Sequence, residues 1–405
     1  MTIRTVFRGG SVFDGHGSPP RPADLVVESG RIVDVGSGLD GDTAIDIHGA
    51  TLLPGMFDCH THLMISHVDM WRTVQTPFSY QFYDSVANLH QTLGAGITSV
   101  RDAGGADLGL KQALADGLVE GPRVQISIRM ISQTGGHGDD WFASGAEVPF
   151  LMPHPGAPPT LVDGPEEMRR AVRLLVRHGA DVIKVATSGG VLSPRDDPRH
   201  AHFRDDELQM LVSEASAAGI WVMAHAQATD GIKAAIRAGI RSIEHGVYLD
   251  DEAISMMLKR GTYLVPTLVA PAGVIEAADR GVSIPAPMLR KAREVVEVHR
   301  DSFRRAVRAG VKVAMGTDSG VTPHGQNLRE LALMVKGGME PCDVLRAATR
   351  TAAELLGVAE DRGALEPGKR ADMVVVDGDP LDFQDLHRRV RAVYLDGKLV
   401  SGAIA

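Results

Sequence analysis

The sequence predicts a (β/α)8 TIM barrel that carries a small β-sandwich domain built from both termini. Short apolar runs alternate with amphipathic stretches through the middle of the chain, a pattern typical of a parallel sheet covered by helices. Both ends instead show β-branched alternation interrupted by glycine, proline and aspartate. The 405 residues exceed the usual size of one compact domain, so one large barrel or two domains are expected.

The sandwich prediction depends on strand-like segments near both termini. A Ser29-Gly30 turn separates two of them, and Asp396-Gly397 is a strong signal for a two-residue hairpin. The predicted strands are Thr5–Phe13, Asp24–Glu28, Arg31–Val35, Asp372–Val376 and Val390–Leu395. We therefore expect residues 1–54 plus 363–405 to form one composite β-sandwich, and residues 55–362 to form the barrel.

The barrel prediction depends on the number of buried strands in the middle of the chain. The predicted strands are Thr51–Phe57, Ile97–Arg101, Arg123–Ile131, Val182–Val185, Ile220–Ala224, Ser242–Ile243, Tyr263–Val265 and Lys312–Met315. Helical patterns between them include Glu166–His178, Asp205–Ala218, Thr229–Ala238, Asp250–Lys259 and Leu289–Ala309. Eight strands favour a closed barrel. A doubly wound open sheet is the alternative, but its glycine-rich fingerprint is missing after the first strand.

Composition limits the partners that we expect. Lys plus Arg is 42 and Asp plus Glu is 51, so the net charge of −9 argues against nucleic acid or an anionic membrane as the main partner. No stretch approaches eighteen consecutive apolar residues, and the first ten residues lack the apolar segment of a signal peptide. Two cysteines, Cys59 and Cys342, cannot build a disulfide framework. We expect a cytoplasmic protein that acts on a small molecule.

Ligand-type side chains stand at the ends of several predicted barrel strands, where catalytic residues of this fold belong. They are His60, His62, Lys184, His225, His245 and Asp318. Histidines two residues apart on a strand share a face, so both can reach one metal. A lysine in an apolar strand is unusual because burying its charge is expensive. Each histidine alone also fits a hydrogen-bonded core, and Asp318 fits a helix N-cap. The position that they share favours a metal site.

On these residues the chain resembles the metal-dependent amidohydrolase superfamily over nearly its whole length. That superfamily has an HxH pair on strand one, a metal-bridging lysine on strand four, histidines on strands five and six, and an aspartate on strand eight. The resemblance implies two divalent metal ions, zinc being the expected metal, and a Lys184 carboxylated by CO2. A buried lysine with a lowered pKa makes that carboxylation plausible, and Asp318 would move the proton of the attacking water. A mononuclear site with a neutral Lys184 is the alternative.

Three further residues are candidate substrate contacts. His137, in the glycine-rich segment 135–138, could donate a hydrogen bond to the scissile carbonyl, although an exposed loop histidine would also fit. Arg195, in the loop after Lys184, could bind an anion or lie on the surface in water. These segments resemble an imidazolonepropionase-related branch with Xaa-Pro dipeptidase (prolidase-like) and ochratoxinase-like members. In that branch a tyrosine at the position of Tyr248 helps to hold the substrate carboxylate; an aromatic covering the barrel rim is the other interpretation.

We therefore expect a binuclear metal-dependent hydrolase that cleaves the amide bond of Xaa-Pro type dipeptides or N-acyl amino acids, using a hydroxide bridging the metals. The same site could hydrolyse esters, lactones, ochratoxin-like aryl amides or phosphotriesters, because an activated hydroxide attacks many electrophiles. A non-catalytic scaffold on the same fold is a third hypothesis, but every expected ligand is present. Assembly into a homo-oligomer is compatible with the resemblance.

Overall fold

The computed structural model describes residues 3–193 and 195–403, in which β-strands and α-helices alternate along most of the chain. The strands are β1 Arg4–Arg8, β2 Ser11–Val12, β3 Arg21–Pro22, β4 Asp24–Glu28, β5 Arg31–Gly36, β6 Thr43–Asp46, β7 Ala50–Pro54, β8 Met56–Thr61, β9 Ile97–Asp102, β10 Arg123–Ile126, β11 Met130–Ile131, β12 Val182–Ala186, β13 Trp221–Ala226, β14 Ser242–His245, β15 Tyr263–Val265, β16 Met373–Asp377, β17 Val390–Leu395 and β18 Lys398–Gly402.

The helices lie mostly between the central strands. They are α1 Met70–Gln75, α2 Tyr80–Gly94, α3 Leu108–Ala115, α4 Pro165–Arg177, α5 Asp205–Ala217, α6 Thr229–Ala238, α7 Asp251–Arg260, α8 Val269–Asp279, α9 Ala286–Ala309, α10 Arg329–Lys336, α11 Pro341–Ala347 and α12 Arg350–Leu355, with a short 3-10 helix at Leu386–Arg388. Their ends follow ordinary capping chemistry. The side chain of Asp250 accepts a hydrogen bond from Ala253 N at the start of α7, and Gly261 ends that helix with φ +68°.

The strands β8 to β15 form the parallel barrel. β8, β9 and β10 pair in parallel, as do β11 to β15 in chain order. The barrel closes through the segment 312–318. Leu264 N donates to Lys312 O at 2.8 Å on one side, and Cys59 N donates to Met315 O at 2.9 Å on the other. The predicted fold class is confirmed.

Three of the predicted barrel strands differ in detail from the observed ones, and the predicted Thr5–Phe13 strand near the N-terminus is divided into β1 and β2. The first prediction, Thr51–Phe57, joined the end of β7 to the start of β8, so His60 lies within a barrel strand instead of after it. The third strand is broken between β10 and β11, where Ile128 has φ +68°. The predicted eighth strand, Lys312–Met315, makes one isolated bridge, Leu264–Val313, instead of a regular ladder. The break in the third strand comes from the backbone geometry of one residue, which leaves no apolar pattern in the sequence.

The strands near the termini form two further sheets, with orders β5-β4-β1-β6 and β18-β17-β16-β7-β2-β3. β7 pairs antiparallel with β16 along its whole length, which links the first fifty residues to the last forty. One apolar cluster joins the two ends of the chain, including Phe7, Leu52 and Tyr394. The predicted boundary between residues 54 and 55 falls in the single-residue gap between β7 and β8, and the division into domains stays a prediction.

Apolar packing around the barrel covers both faces of its strands. The largest buried cluster joins barrel strands to the helices outside them, for example Ile183 on β12 with Leu208 on α5 and Ile232 on α6. Burial on both faces explains why these strands are apolar without alternation. In the described ranges, no helix has the length and apolar character needed to cross a membrane.

Candidate metal centre

A cavity opens at the carboxyl ends of the barrel strands, and the six predicted ligands line it. They are His60, His62, Lys184, His225, His245 and Asp318. Strand register explains their convergence, since Lys184, His225 and His245 stand at or near the ends of the neighbouring strands β12, β13 and β14. Apolar side chains form most of the remaining wall, among them Ile65, Leu151, Val274 and Val295.

His60, His62 and Asp318 form the tightest group in this cavity. Asp318 Oδ1 lies 3.3 Å from His60 Nε2 and 3.0 Å from His62 Nε2. One potential ligand atom from each of the three residues lies within 4.8 Å of the other two. Burial alone would raise the pKa of Asp318, but the neighbouring His60 and His62 hold it well below its ordinary value. An ionised carboxylate beside two imidazole nitrogens is a donor set suited to zinc and similar divalent ions.

Each of these two histidines is oriented through its other ring nitrogen. The Nδ1 of His60 lies 2.8 Å from Glu244 Oε2, and the Nδ1 of His62 lies 2.7 Å from Gly104 O. An acceptor at Nδ1 favours the tautomer that leaves Nε2 unprotonated. Both Nε2 atoms are therefore oriented for metal coordination.

Lys184 is buried beside this group with little to compensate its charge. Its side chain is almost fully buried, and Nζ lies 3.4 Å from His60 Nε2. No carboxylate of the described residues forms an ion pair with it, and burial lowers its pKa to about 8. A buried amine of this kind is neutral far more often near neutral pH than an exposed lysine is, which fits the conversion to an anionic carbamate ligand.

His225 and His245 complete the ring of donors. Their ring centroids are 4.6 Å apart, and His245 lies 5.0 Å from the ring of His60. His225 Nε2 contacts Gly189 O at 3.1 Å and His245 Nδ1 contacts Thr267 Oγ1 at 2.7 Å, which leaves one nitrogen of each ring for a ligand. Burial lowers the pKa of both well below the ordinary value, which favours the neutral form that metal coordination requires.

Left-handed backbone at two of the predicted ligands directs their side chains. His245 has φ +70° and Asp318 has φ +62°. Glu244 and His245 are adjacent on β14, where a regular strand would send them to opposite faces. Here both contact His60, which follows from the irregular φ of His245. Such conformations cost about 1–3 kcal/mol each and cluster at functional sites.

Sequence reasoning missed the buried charges under the ligands. Arg101 Nη2 donates to Glu244 Oε1 at 2.9 Å, and Arg101 Nε donates to Cys59 O at 2.7 Å. Burial would raise the pKa of Glu244, but Arg101 and His60 lower it to about 2. Asp58 is equally buried and accepts hydrogen bonds from Thr317 Oγ1 and Asn327 Nδ2, which ties the segment before Asp318 to β8. The one signal in the sequence was the presence of charged residues inside apolar strands.

His137 lies in the cavity wall and is held by a second buried cluster. Its ring stacks on His225 with centroids 4.0 Å apart, and its Nδ1 lies 3.2 Å from Asp196 Oδ2. Lys291 Nζ, from α9, donates to Asp196 Oδ1 at 3.0 Å. Burial would raise the pKa of Asp196, but His137 and Lys291 hold it below its ordinary value. His137 therefore keeps only Nε2 for a ligand.

The other two predicted substrate contacts lie apart from this cavity. Arg195 is exposed, and its guanidinium lies 5.3 Å from the ring of Trp141. Tyr248 is half-buried against the apolar cluster around Val247. Neither residue is part of the cavity lining, whereas Arg129 and Gln227, which the sequence did not single out, are. Gln227 is buried, and its Oε1 has no hydrogen-bond partner among the described residues.

Comparison with known proteins agrees with this arrangement. The model of the Amidohydrolase family matches residues 51–400. Ochratoxinase from Aspergillus niger is 35% identical over 98% of this chain and 87% of its own. A solved Xaa-Pro dipeptidase with bound methionine in its active site is 33% identical, with a TM-score of 0.90 over 98% of this chain and 100% of that one. A prolidase complexed with N-methylphosphonate-L-proline is 35% identical, with a TM-score of 0.90 over 99% and 100% of the two chains.

Proposed function

This chain belongs to the amidohydrolase family and is a hydrolase, and from that premise we propose that it cleaves amide bonds next to a free carboxylate. The substrates are dipeptides of the Xaa-Pro type or N-acyl amino acids. Similarity to a Xaa-Pro dipeptidase and to a prolidase, each at least 33% identical to this chain, supports the first class.

The observation that carries the proposal is the set of donors that converge in one cavity. His60, His62 and Asp318 approach one another within 4.8 Å, and buried Lys184 stands beside them without a carboxylate partner. Neutral imidazoles, an ionised carboxylate and a low-pKa amine are the groups that a pair of divalent cations needs. A scaffold that had lost catalysis would have no reason to keep this strained and weakly paired arrangement.

We assign the donors to two metal positions. His60, His62 and Asp318 would hold one ion, His225 and His245 would hold the other, and Lys184, as a carbamate, would supply a further ligand to the pair. The neutral amine forms an N–C bond to CO2 and releases one proton, so the side chain becomes an anionic oxygen ligand. When bound, the two ions supply Lewis acidity that activates water and polarises the substrate carbonyl.

The side chains around the donors perform the remaining steps. Asp318 accepts the proton of the attacking water and delivers it to the leaving amine, a role for which its depressed pKa keeps it ionised at the start. His137 directs Nε2 toward the scissile carbonyl while Asp196 fixes its ring through Nδ1. Glu244 and Arg101 hold His60 in place beneath the substrate.

An aryl amide of an amino acid is a second candidate substrate. Ochratoxinase is 35% identical to this chain over nearly the whole length of this chain, and the cavity wall contains the aromatic Phe150 in addition to its aliphatic residues. A wide apolar wall accepts an aromatic acyl group as readily as an amino acid side chain. Both candidates share the bond that breaks and differ in the acyl group.

Metal content and substrate range test the proposal together. Protein prepared with zinc and bicarbonate should contain close to two metals per chain and should turn over Xaa-Pro dipeptides, N-acyl amino acids or aryl amides of amino acids. Turnover limited to aryl esters, lactones or phosphotriesters would contradict the amide assignment while leaving the metal site intact. Failure to bind any divalent ion would contradict the site itself.

Lys184→Ala tests the carbamate separately. The variant should lose at least one metal and most activity, and a short carboxylic acid such as propionate should restore part of both by occupying the vacated bridge. Lys233→Ala is the matched control, because that lysine is paired at the surface with Asp250 and Glu252. Full metal content in Lys184→Ala would reject the bridging role.

A further inference from the structure

Arg129 stands at the break in the third barrel strand, and rigid backbone fixes its position. The residue before it, Ile128, has φ +68°, which is costly for a β-branched side chain. Gly105 N donates to Ile128 O at 2.9 Å, and Arg129 N donates to Ser127 O at 2.8 Å. This break ends β10 and lets β11 resume beside β12, with Arg129 between them.

Arg129 lines the cavity, and its guanidinium is not paired with any side chain in the part of the chain that the structure describes. Among the described residues it makes no hydrogen bond and no ion pair, and Lys184 is the other lysine or arginine in the lining. The acidic neighbour Asp140, also in the lining, interacts with it electrostatically without approaching to ion-pair distance. The guanidinium therefore keeps its donors for a ligand in a cavity whose wall is mostly apolar.

A guanidinium with free donors in such a setting recognises a carboxylate better than any other common group. It offers two parallel N–H donors that match the two oxygens of a carboxylate, and apolar surroundings strengthen the contact. The substrates proposed above carry a carboxylate one carbon from the scissile nitrogen. The metal donors and Arg129 share one cavity, so a single substrate can reach both.

We propose that Arg129 binds the free carboxylate of the substrate and thereby restricts the enzyme to amides of amino acids. This inference rests on the proposed function for the identity of the substrate, but its test does not require hydrolysis. Arg195, which the sequence suggested as an anion contact, is exposed and lies against Trp141. Neither Arg195 nor Tyr248, which the resemblance suggested for the substrate carboxylate, is part of the lining. The two arginines therefore form a matched pair of variants.

The experiment compares the binding of two ligands that differ in one group. N-methylphosphonate-L-proline, the ligand of a structurally similar prolidase, carries the carboxylate, and its carboxamide does not. Any contribution of the phosphonate at the metals cancels between them. Calorimetric titration of the metal-loaded wild type should show about 10- to 100-fold tighter binding of the acid.

Three variants then locate the source of that preference. Arg129→Met should bind the acid as weakly as the amide and leave amide affinity unchanged, Arg129→Lys should keep part of the preference, and Arg195→Met should behave as wild type. Equal weakening of both ligands in Arg129→Met would indicate a structural role and overturn the inference. The inference would also be overturned if Arg129→Met still preferred the acid, or if the wild type bound the acid and the amide equally well.

The outcome is separable from that of the proposed function. A carboxylate preference that disappears in Arg129→Met would stand even if wild type hydrolysed only esters or lactones. Conversely, dipeptide turnover together with an unchanged preference in Arg129→Met would uphold the function and reject Arg129 as the carboxylate site. Thermal unfolding of each variant shows whether the barrel remains intact.

Discussion

Glu244 and His60 meet beneath the metal donors, where Glu244 Oε2 lies 2.8 Å from the Nδ1 of His60 although 184 residues separate them in the chain. The other oxygen of the same carboxylate accepts a hydrogen bond from Arg101. Glu244 thus orients a donor on one side and neutralises a buried guanidinium on the other. Both tasks need its negative charge, which Arg101 and His60 preserve by lowering its pKa to about 2.

Glu244→Gln should lower metal affinity about 10- to 100-fold, because a neutral amide fixes the orientation of His60 less firmly. Competition with a chromogenic chelator measures this directly. The variant should also unfold more easily, since Arg101 loses a buried ionic partner. Glu252→Gln, at an exposed position on α7, is the control and should change neither quantity. Wild-type metal affinity in Glu244→Gln would show that His60 does not need this partner.

Asp318→Asn should reduce kcat about 10²- to 10⁴-fold, because the amide cannot accept the proton of water. Its amide oxygen can still serve as a ligand, so we expect the variant to keep its fold and at least one metal. Steady-state kinetics and metal analysis on the same preparation test both statements. Near-wild-type turnover with full metal content would show that Asp318 does not transfer the proton.

Gly190→Ala should inactivate the enzyme, but the variant should still fold, even in the absence of metal. A Cβ at this position would stand 2.3 Å from His137 Cε1 and 2.7 Å from His225 Nε2, so the two stacked rings must move. Gly36→Ala is the control, because its Cβ would meet only Leu39 at 3.7 Å. Circular dichroism and kcat/KM on both variants give the comparison. An active Gly190→Ala would mean that the stacking of His137 on His225 is not needed.

Asp196→Asn should destabilise the protein in a pH-dependent way. The pKa of Asp196 is lower in the folded protein than its ordinary value of 3.8, so the folded state favours the carboxylate. Its contribution to stability is therefore present above pH 3.8 and declines as pH falls below that value. Urea unfolding at pH 3 to 8 measures the free energy of unfolding of wild type and variant. The difference between the two should be constant above about pH 5 and should become smaller in more acidic solution. A difference in the free energy of unfolding that grows as the pH falls would contradict the stabilising role of the Asp196 carboxylate.

Sequence patterns predicted helices α4 to α7 and α9 and the strand ends that carry the donors. The alternation of apolar strands and amphipathic helices is a local property, and helix α6 matches its predicted range, Thr229–Ala238. The pair His60 and His62 was visible because two residues on one strand share a face. The regularity of the eighth strand was overestimated. The apolar run Lys312–Met315 lies between β15 and β8 in the barrel but forms only one isolated β-bridge, Leu264–Val313.

Local patterns in the sequence by themselves determined which segments form buried strands and amphipathic helices, and which ligand-type residues lie near strand ends. Only the tertiary structure decided that Arg101 pairs with Glu244, that Lys291 pairs with Asp196, and that Arg129 instead of Arg195 faces the cavity. The physical reason is distance. Electrostatic pairing acts between atoms a few ångströms apart in space, and residues 95 or 143 positions apart carry no local sign of that proximity.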